Sequence, residues 1–600
     1  MEATATRDDD LPVPPELQRT WAVLRRGLRE SPELRTGLGF TLILSFAVIV
    51  ATLVVPILIQ KIFDHGFDGG FRPGYVYSIC AIALVLVTGS YVAGRAAGRR
   101  LVTASEQALK NLRIRTFHHI HELSVAEQTK EKRGIFVSRV TADVDSLAEF
   151  TEWGGIAWIL SAAQIVGALL LMLVYSWQLT IPLFLLVIPL LLIVGKLQAG
   201  FTSAYNLVRT RVGEMLSEVS ESVMGASVVR AYGLDDSMHG RVRNAIGNRY
   251  RAQMTAHRRA ATLFPVAVVF AALGIAVVVV LGAFYGESWG LTVGRVTAFL
   301  FLADLFLHPF ADLPEIYSET QTAIAGWRKI LTVLDLPVEI VEPEPGVVLE
   351  HGALDVRAEG VRYAYPDSDH VLHGISLHVR PGGHVAIVGE TGCGKTTFAK
   401  LLSRLADPVE GRITVNGVDL REVAPGSRRT AIRMVPQDGF LFDATIRENV
   451  RNGRQGATDR DVETAFEELG LGPWVASLPD GLETTAGERG EAMSVGERQL
   501  VALARAQIAE PGLLILDEAT SAVDPGTEQR ITEALRRLSA GRTVVTIAHR
   551  LSTAERADHV FVFDAGLMVE EGTHGELVER GGVYARLYES WLGNVGALEG

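Results

Sequence analysis

Two bilayer-length apolar runs stand almost end to end in this sequence. Ile156 to Tyr175 and Leu179 to Gly195 contain no charged residue, and only Ser176-Trp177-Gln178 separates them. A helix needs about 20 apolar residues to cross a bilayer. Buried helices of a soluble protein rarely reach that length without a charge, so the pair reads as a tight membrane hairpin with Tyr175 and Trp177 at the interface. Further stretches near 38–60, 76–97, 262–286 and 292–315 join spans 155–175 and 179–200 to make six. An apolar content of 48% with 21% charged residues agrees with a membrane-embedded part.

Basic residues set the orientation. Arg19, Arg25, Arg26, Arg29 and Arg35 precede the first span, and Arg95, Arg99, Arg100, Lys110, Arg113 and Arg115 surround or follow the end of the second. Arg209, Arg211, Arg230, Arg241 and Arg243 lie between spans four and five. Both termini are therefore expected in the cytoplasm, with the chain multi-pass in the inner (plasma) membrane. The long cytoplasmic loops, 98–154 and 201–261, read as helical extensions of the spans, each reversing in a short helix. Residues 17–30 read as an amphipathic helix on the inner surface, with Trp21 and Leu24 set against arginines. Residues 1–16 read as a disordered tail without a signal-peptide layout.

The net charge of -12 argues against nucleic acid as a partner. The two cysteines, Cys80 and Cys393, give no sign of an oxidised, disulfide-bearing fold. Asp304 and His308 stand out in the sixth span. They are four residues apart and share a helix face. At 1.5 Å per residue Asp304 is roughly 18 Å from the span's outer start, near mid-bilayer. An ionisable pair at that depth is a candidate cavity or proton site.

Six hundred residues exceed one core. The membrane part is expected over 17–334, a proline-bearing linker over 335–351, a nucleotide domain over 352–590 and a short tail over 591–600. In the second half short apolar strands alternate with helical stretches, as in a parallel-sheet domain. The strand His384 to Val388 feeds Gly389-Glu390-Thr391-Gly392-Cys393-Gly394-Lys395-Thr396, followed by Thr397 and a helix. In this context the glycines let backbone N–H groups wrap phosphates, Lys395 reaches the outer phosphates and Thr396 offers its hydroxyl to Mg²⁺. Leu513-Leu514-Ile515-Leu516 ends in Asp517-Glu518, two carboxylates at the end of a buried strand. Asp517 suits Mg²⁺ and Glu518 suits a general base for water.

Between these motifs lies Met493-Ser494-Val495-Gly496-Glu497-Arg498-Gln499. The set resembles the ATP-binding cassette (ABC) family, whose usual segment here is Leu-Ser-Gly-Gly-Gln. Two loop segments add to the resemblance: Gly134 through Ser138-Arg139 to Asp143-Val144, and Glu221 through Gly225 to Gly233. The first cytoplasmic turn departs from the family, with Ala126-Glu127-Gln128 where Phe-Phe-Asp is frequent. The resemblance covers roughly 17–590 and is closest to exporter-type half-transporters. It implies a six-helix membrane domain with long cytoplasmic extensions, followed by an α/β phosphate-loop domain of ABC type.

The resemblance also implies roles. Tyr365 would stack on adenine while Tyr363 packs inward. Gln437 would link Mg²⁺ to the membrane domain. Gly487-Glu488-Arg489-Gly490 would touch the coupling helices. Asp524 would sit in a loop crossing the dimer, and His549 would sense the γ-phosphate. Ser494, Val495, Gly496 and Glu497 would face an ATP held by a second half-transporter chain. The cofactors are ATP and Mg²⁺, and the further partners are the lipid bilayer and a small amphipathic, lipid-like or drug-like cargo. Siderophore import and gating of a partner without transport are the rival activities.

Val495 and Glu497 depart from the family's segment. Val495 adds a side chain where backbone meets phosphate, and Glu497 brings a carboxylate toward a polyanion, with Arg498 available to offset it. The catalytic residues look complete, so the expectation leans to a heterodimer over a homodimer.

Overall fold

The computed structural model describes residues 14–67, 70–130, 133–365, 368–517, 524–548 and 551–596. Residues 1–13 of the expected tail, Glu518 and His549 lie outside the described residues. Two compact units divide the chain. One contains residues up to His118 together with Gly134–Asp335; the other contains His119–Arg133 and the residues from Leu336 onward.

The first unit is helical. A 3-10 turn, Pro15–Gln18, precedes α1 (Thr20–Glu30). Then come α2 (Leu38–Lys61) and α3 (Pro73–Glu122), followed by the short helices α4 (Val125–Lys130), α5 (Arg133–Val140) and α6 (Ala142–Asp145). The remainder is α7 (Gly155–Tyr175), α8 (Trp177–Met224), α9 (Ala226–Tyr232), α10 (Asp235–Tyr285) and α11 (Val293–Leu334). Among the described residues six helices are long and apolar enough to cross a membrane. With 50 residues, α3 extends about 75 Å, far beyond a bilayer, and its N-terminal half is the apolar one. Ser176 caps α8 by accepting from the Leu179 N–H, which fixes the hairpin turn.

Met172, Leu183, Phe299, Leu302 and Phe306 form the buried centre of the membrane helices. Many large side chains of α3 face outward instead, among them Leu84 at 68% and Val85 at 70% exposure, as suits lipid or a second chain. The less apolar C-terminal length of α8 and N-terminal length of α10 pair through the small residues Ala204, Val208, Ala252 and Ala256.

Helix α1 packs against the rest of its unit through one face. Val23 and Gly27 are buried there, where Gly27 leaves no room for a Cβ against the Trp327 ring. Leu24 is partly buried beside them, whereas Trp21 is 74% exposed. Arg26 pairs with Asp335, which fixes α1 to the end of α11.

The second unit holds two sheets. β1 (Val356–Ala364), β2 (His370–Val379), β4 (Glu410–Val415) and β5 (Val418–Asp419) form an antiparallel sheet in the order β2-β1-β4-β5. β3 (His384–Val388), β6 (Ile432–Val435), β7 (Leu513–Asp517), β8 (Thr543–Ile547), β9 (His559–Asp564) and β10 (Leu567–Gly572) form the other, in the order β10-β9-β3-β8-β7-β6. Its central strands are parallel. Their continuous Val/Ile/Leu runs reflect burial on both faces, and every residue of β7 is buried. Val361, Ile375, Phe398 and Phe563 belong to the core that includes the antiparallel sheet. Phe466, Trp474, Leu500 and Leu503 belong to a second core, which takes in the flanking helices and the far side of β7.

Candidate nucleotide and cargo sites

The parallel register brings four strand ends to one edge. Val435 of β6 pairs with Leu516 of β7, and Asp517 pairs with Ile547 of β8. β8 in turn pairs with β3, whose end opens the phosphate loop. Gln437, Asp517 and the loop 389–396 therefore follow or end neighbouring strands at the carboxyl edge, where α/β sheets place ligands.

Within the loop, Gly389 has φ 153° and Gly394 φ 100°. A Cβ on Gly389 would strike the Phe563 carbonyl, and one on Gly394 would lie 2.6 Å from Leu372. Both positions need glycine for space as well as for backbone geometry. Lys395 begins α12 (Lys395–Leu402) and is 4% exposed. Its Nζ donates to the Gly389 and Glu390 carbonyls, each at 2.8 Å, so the ammonium spans the loop. Burial pushes the Cys393 thiol up, against the pull of Lys395.

Tyr363 is buried, and desolvation pushes its phenol up to about 12. Tyr365 meets its ring edge-on at 5.1 Å. The Tyr365 hydroxyl shares a 3.0 Å hydrogen bond with Thr397 Oγ1, and Lys400 Nζ lies 5.8 Å from the ring centre. The more exposed tyrosine is thus anchored against the helix that follows the phosphate loop. Thr397 is itself buried, in contact with Tyr365, while Thr396 is exposed.

Ser494 caps the helix Val495–Gln507. Glu497 turns back onto the start of its helix. Its Oε2 accepts from the Ser494 N–H at 2.9 Å and from Ser494 Oγ at 2.8 Å, and its own N–H donates back to Ser494 Oγ. This reciprocal cap satisfies two donors at the helix start. Arg498 bonds elsewhere. Its Nη1 donates to the Met493 carbonyl at 3.2 Å, and no ion pair joins it to Glu497 among the described residues. Val495 is 41% exposed and Gly496 is buried.

Asp524 caps the helix Pro525–Ser539 through Thr527, whose hydrogen bonds hold the carboxyl below its usual range. Glu488 and Arg489 are exposed in a short turn. In the membrane unit Asp304 and His308 separate. Asp304 lines a cavity of ≈ 340 Å³ bounded by α2, α3 and α11, while His308, one turn along, is outside that lining.

Residues 38–310 match the ABC transporter transmembrane region, and residues 372–521 match the ABC transporter nucleotide-binding family, described as "ABC transporter". A fatty acid ABC transporter ATP-binding/permease protein of Mycobacterium bovis is 34% identical over 508 residues, covering 84% of this chain and 80% of that protein. The chain belongs to the ABC transporter family. An ATP-dependent lipid A-core flippase of Escherichia coli is 31% identical over 583 residues, covering 96% of this chain and 98% of the flippase. A solved bacterial Atm1-family ABC exporter with ATP bound matches with a TM-score of 0.78 and 26% identity, covering 93% of this chain and 98% of that one.

This ABC chain is a multi-pass membrane protein whose second half is an ATPase coupled to translocation. One membrane domain fused to one nucleotide domain is a half-transporter, which works as a dimer. Thr396, Gln437 and Asp517 offer a hydroxyl, an amide oxygen and a carboxylate, an all-oxygen donor set that fits Mg²⁺.

Some supporting residues carried no sequence signal. Arg505, on the helix that Ser494 caps, donates to the Phe440 carbonyl at 3.0 Å and to the Asn449 carbonyl at 2.9 Å. It thereby braces the loop that follows Gln437. In the linker Glu342 accepts from Arg428 at 2.6 and 2.8 Å and from Arg404 at 3.1 Å. The departure at Ala126-Glu127-Gln128 has a local explanation. Gln128 Nε2 donates to the Ile120 and Leu123 carbonyls and so caps the end of α3.

Proposed function

We propose that the chain is one half of an ATP-driven exporter of amphipathic or lipid-like small molecules. One observation carries this reading: the phosphate loop, Asp517 and Gln437 meet at the carboxyl edge of one sheet, in a chain that also carries six membrane-length helices. Gly389, Glu390, Thr391, Gly392, Cys393, Gly394, Lys395, Thr396 and Thr397 bind the triphosphate of ATP, and Tyr365 stacks on its adenine. Thr396, Gln437 and Asp517 hold Mg²⁺, which would neutralise charge on the phosphate oxygens when bound. Glu518 polarises the attacking water and His549 contacts the γ-phosphate.

Ser494 and the Gly496 N–H serve the ATP held by the second chain, and Asp524 lies at the dimer contact. Closure of two nucleotide domains on two ATP molecules turns the membrane cavity from one side to the other. Only cargo and nucleotide that bind the two states unequally drive such a cycle. The arginine-rich loops support a cytoplasmic position for both termini and the ATPase, in the inner membrane. The Val495 and Glu497 departures support a heterodimer, in which a partner completes this chain's catalytic site. Names of the relatives, a fatty acid transporter and a lipid A-core flippase, support an apolar-tailed cargo.

The test is ATP-dependent flux in sealed vesicles containing only the purified complex. Cargo moving away from the nucleotide-domain side supports the reading. Movement toward that side makes the protein an importer, and ATP turnover without flux makes it a regulator. Purification with a different chain, or alone as a dimer, decides the partner.

A further inference from the structure

The cavity at Asp304 has an unusual polar complement. Its ≈ 340 Å³ is lined largely by apolar groups, and its polar side chains are Thr52, Ser90 and Asp304. Both hydroxyl protons are already committed. Thr52 Oγ1 donates to the Val48 carbonyl at 2.9 Å, and Ser90 Oγ donates to the Val87 carbonyl at 2.8 Å. Each leaves only an accepting oxygen toward its surroundings. Pro56, on the same wall, has no N–H for the Thr52 carbonyl one turn earlier, so that carbonyl loses its helical donor as well.

Asp304 completes the set. No side chain among the described residues donates to its carboxyl, whose oxygens accept. The lining therefore offers accepting oxygens around one acidic side chain. Phe301 adds a ring that is 48% exposed, a surface that attracts cations.

The rest of α11 has the same sign. Between Arg295 and Arg328 it carries Asp304, Asp312, Glu315 and Glu319, and no Lys or Arg. At 100° per residue these four carboxyl groups and His308 fall within an arc of about 80°. An anionic head group on this face would meet repulsion and find no donor to replace its water. A head group with N–H donors and positive charge finds both its hydrogen bonds and its counter-charge.

We propose that this cavity receives the head of an amphiphilic ammonium cation, with the apolar tail along Val55, Val87 and Phe301. The proposal rests on the exporter reading and narrows its cargo class.

The test uses the purified complex in proteoliposomes and three probes with one chain length: dodecylammonium, dodecanol and dodecanoate. Stimulation of ATP hydrolysis is measured for each. Dodecylammonium is expected to reach half-maximal stimulation at a concentration about tenfold below that of dodecanoate, the effect of one charge-assisted contact. Asp304→Asn is expected to collapse that spread and Asp304→Glu to keep it. Thr52→Val, which conserves volume and removes one accepting oxygen, is expected to raise the cation's half-maximal concentration about threefold. The proposal is overturned if dodecanoate acts at or below the concentration of the cation, or if Asp304→Asn keeps the preference. ATP-driven uptake into inside-out vesicles separates it from the parent reading. Uptake of dodecanoate without dodecylammonium overturns the cation assignment and leaves the exporter standing, whereas uptake of no probe overturns both.

Discussion

Gln164 stands in for the N–H that Pro309 lacks. In a continuous helix the residue at 309 would donate to the Leu305 carbonyl, but proline has no donor. Gln164 Nε2, on α7, donates to that carbonyl at 3.0 Å. A polar side chain in an apolar span, open to reading as a cargo contact, thus repairs the backbone of α11 beside the Asp304 cavity. Gln164→Leu is expected to lower stability in detergent by about 1–2 kcal/mol, the range for an interhelical hydrogen bond in a membrane. Pro309→Ala restores the missing donor, so the double variant is expected to recover most of that loss. Thermal unfolding of the four proteins checks the cycle; additive effects of the two changes would sink the explanation.

Apolar length made the six spans legible from sequence, because a bilayer imposes a single length on each crossing. Glycine spacing made the phosphate loop legible for an equally local reason. What stayed hidden depended on partners distant in sequence. Nothing near Gln164 announces Pro309, and nothing near Glu342 announces Arg428. At Glu497 the charge was legible and the hydrogen bonds of its carboxylate were not. The pattern Ser494-x-x-Glu497 is itself a capping signature, and the cap turns the carboxylate back onto Ser494. Amphipathic spacing made α1 legible, but Gly27 decides which face meets Trp327, because the smallest residue permits the closest approach.

The Ser494–Glu497 cap has a functional consequence under the proposed assembly. The hydroxyl proton that would serve a phosphate already points at Glu497 Oε2. Glu497→Gln keeps an accepting oxygen for the cap and removes the charge. It is expected to lower the apparent KM for ATP about three- to tenfold, with a smaller change in kcat. Glu497→Ala removes the cap's second half and is expected to cost about 0.5–1 kcal/mol of stability. Steady-state ATPase titrations of both variants check this; an unchanged KM in Glu497→Gln would show that the carboxylate is indifferent to the nucleotide.

Glu518 and Lys395 are assigned separable tasks, general base and phosphate ligand. Glu518→Gln is expected to reduce the turnover of its own site by about 10²–10⁴-fold, the usual contribution of general-base catalysis. ATP binding should persist. Lys395→Ala should weaken ATP binding itself, because its ammonium is the cation that spans the loop. Single-turnover hydrolysis and nucleotide-binding measurements distinguish the two. Near-normal turnover at the site carrying Glu518→Gln would refute the base assignment.

The Glu342 clamp predicts a pH dependence of stability. Hydrogen bonds from Arg428, with further attraction from Arg404 and Arg429, hold the Glu342 carboxyl below its usual range despite some burial. The unfolded chain, with an ordinary carboxyl pKa near 4.5, therefore binds the proton more tightly than the folded one. The clamp's contribution is fully present above that pH and is lost as pH falls from about 4.5 through the lowered folded value. The side chain of Glu342 is 34% exposed, so solvent screens part of the attraction. Glu342→Gln is expected to destabilise the protein by about 1–2 kcal/mol at neutral pH, the low side of the range for charged hydrogen bonds. Its difference from the parent protein should shrink as pH drops below about 4.5. Urea unfolding of the full-length protein at pH 7, 5 and 4 measures this. A difference that stays constant across the series would mean that packing of the linker, and not the ion pair, holds residues 341–342 against Arg404 and Arg428.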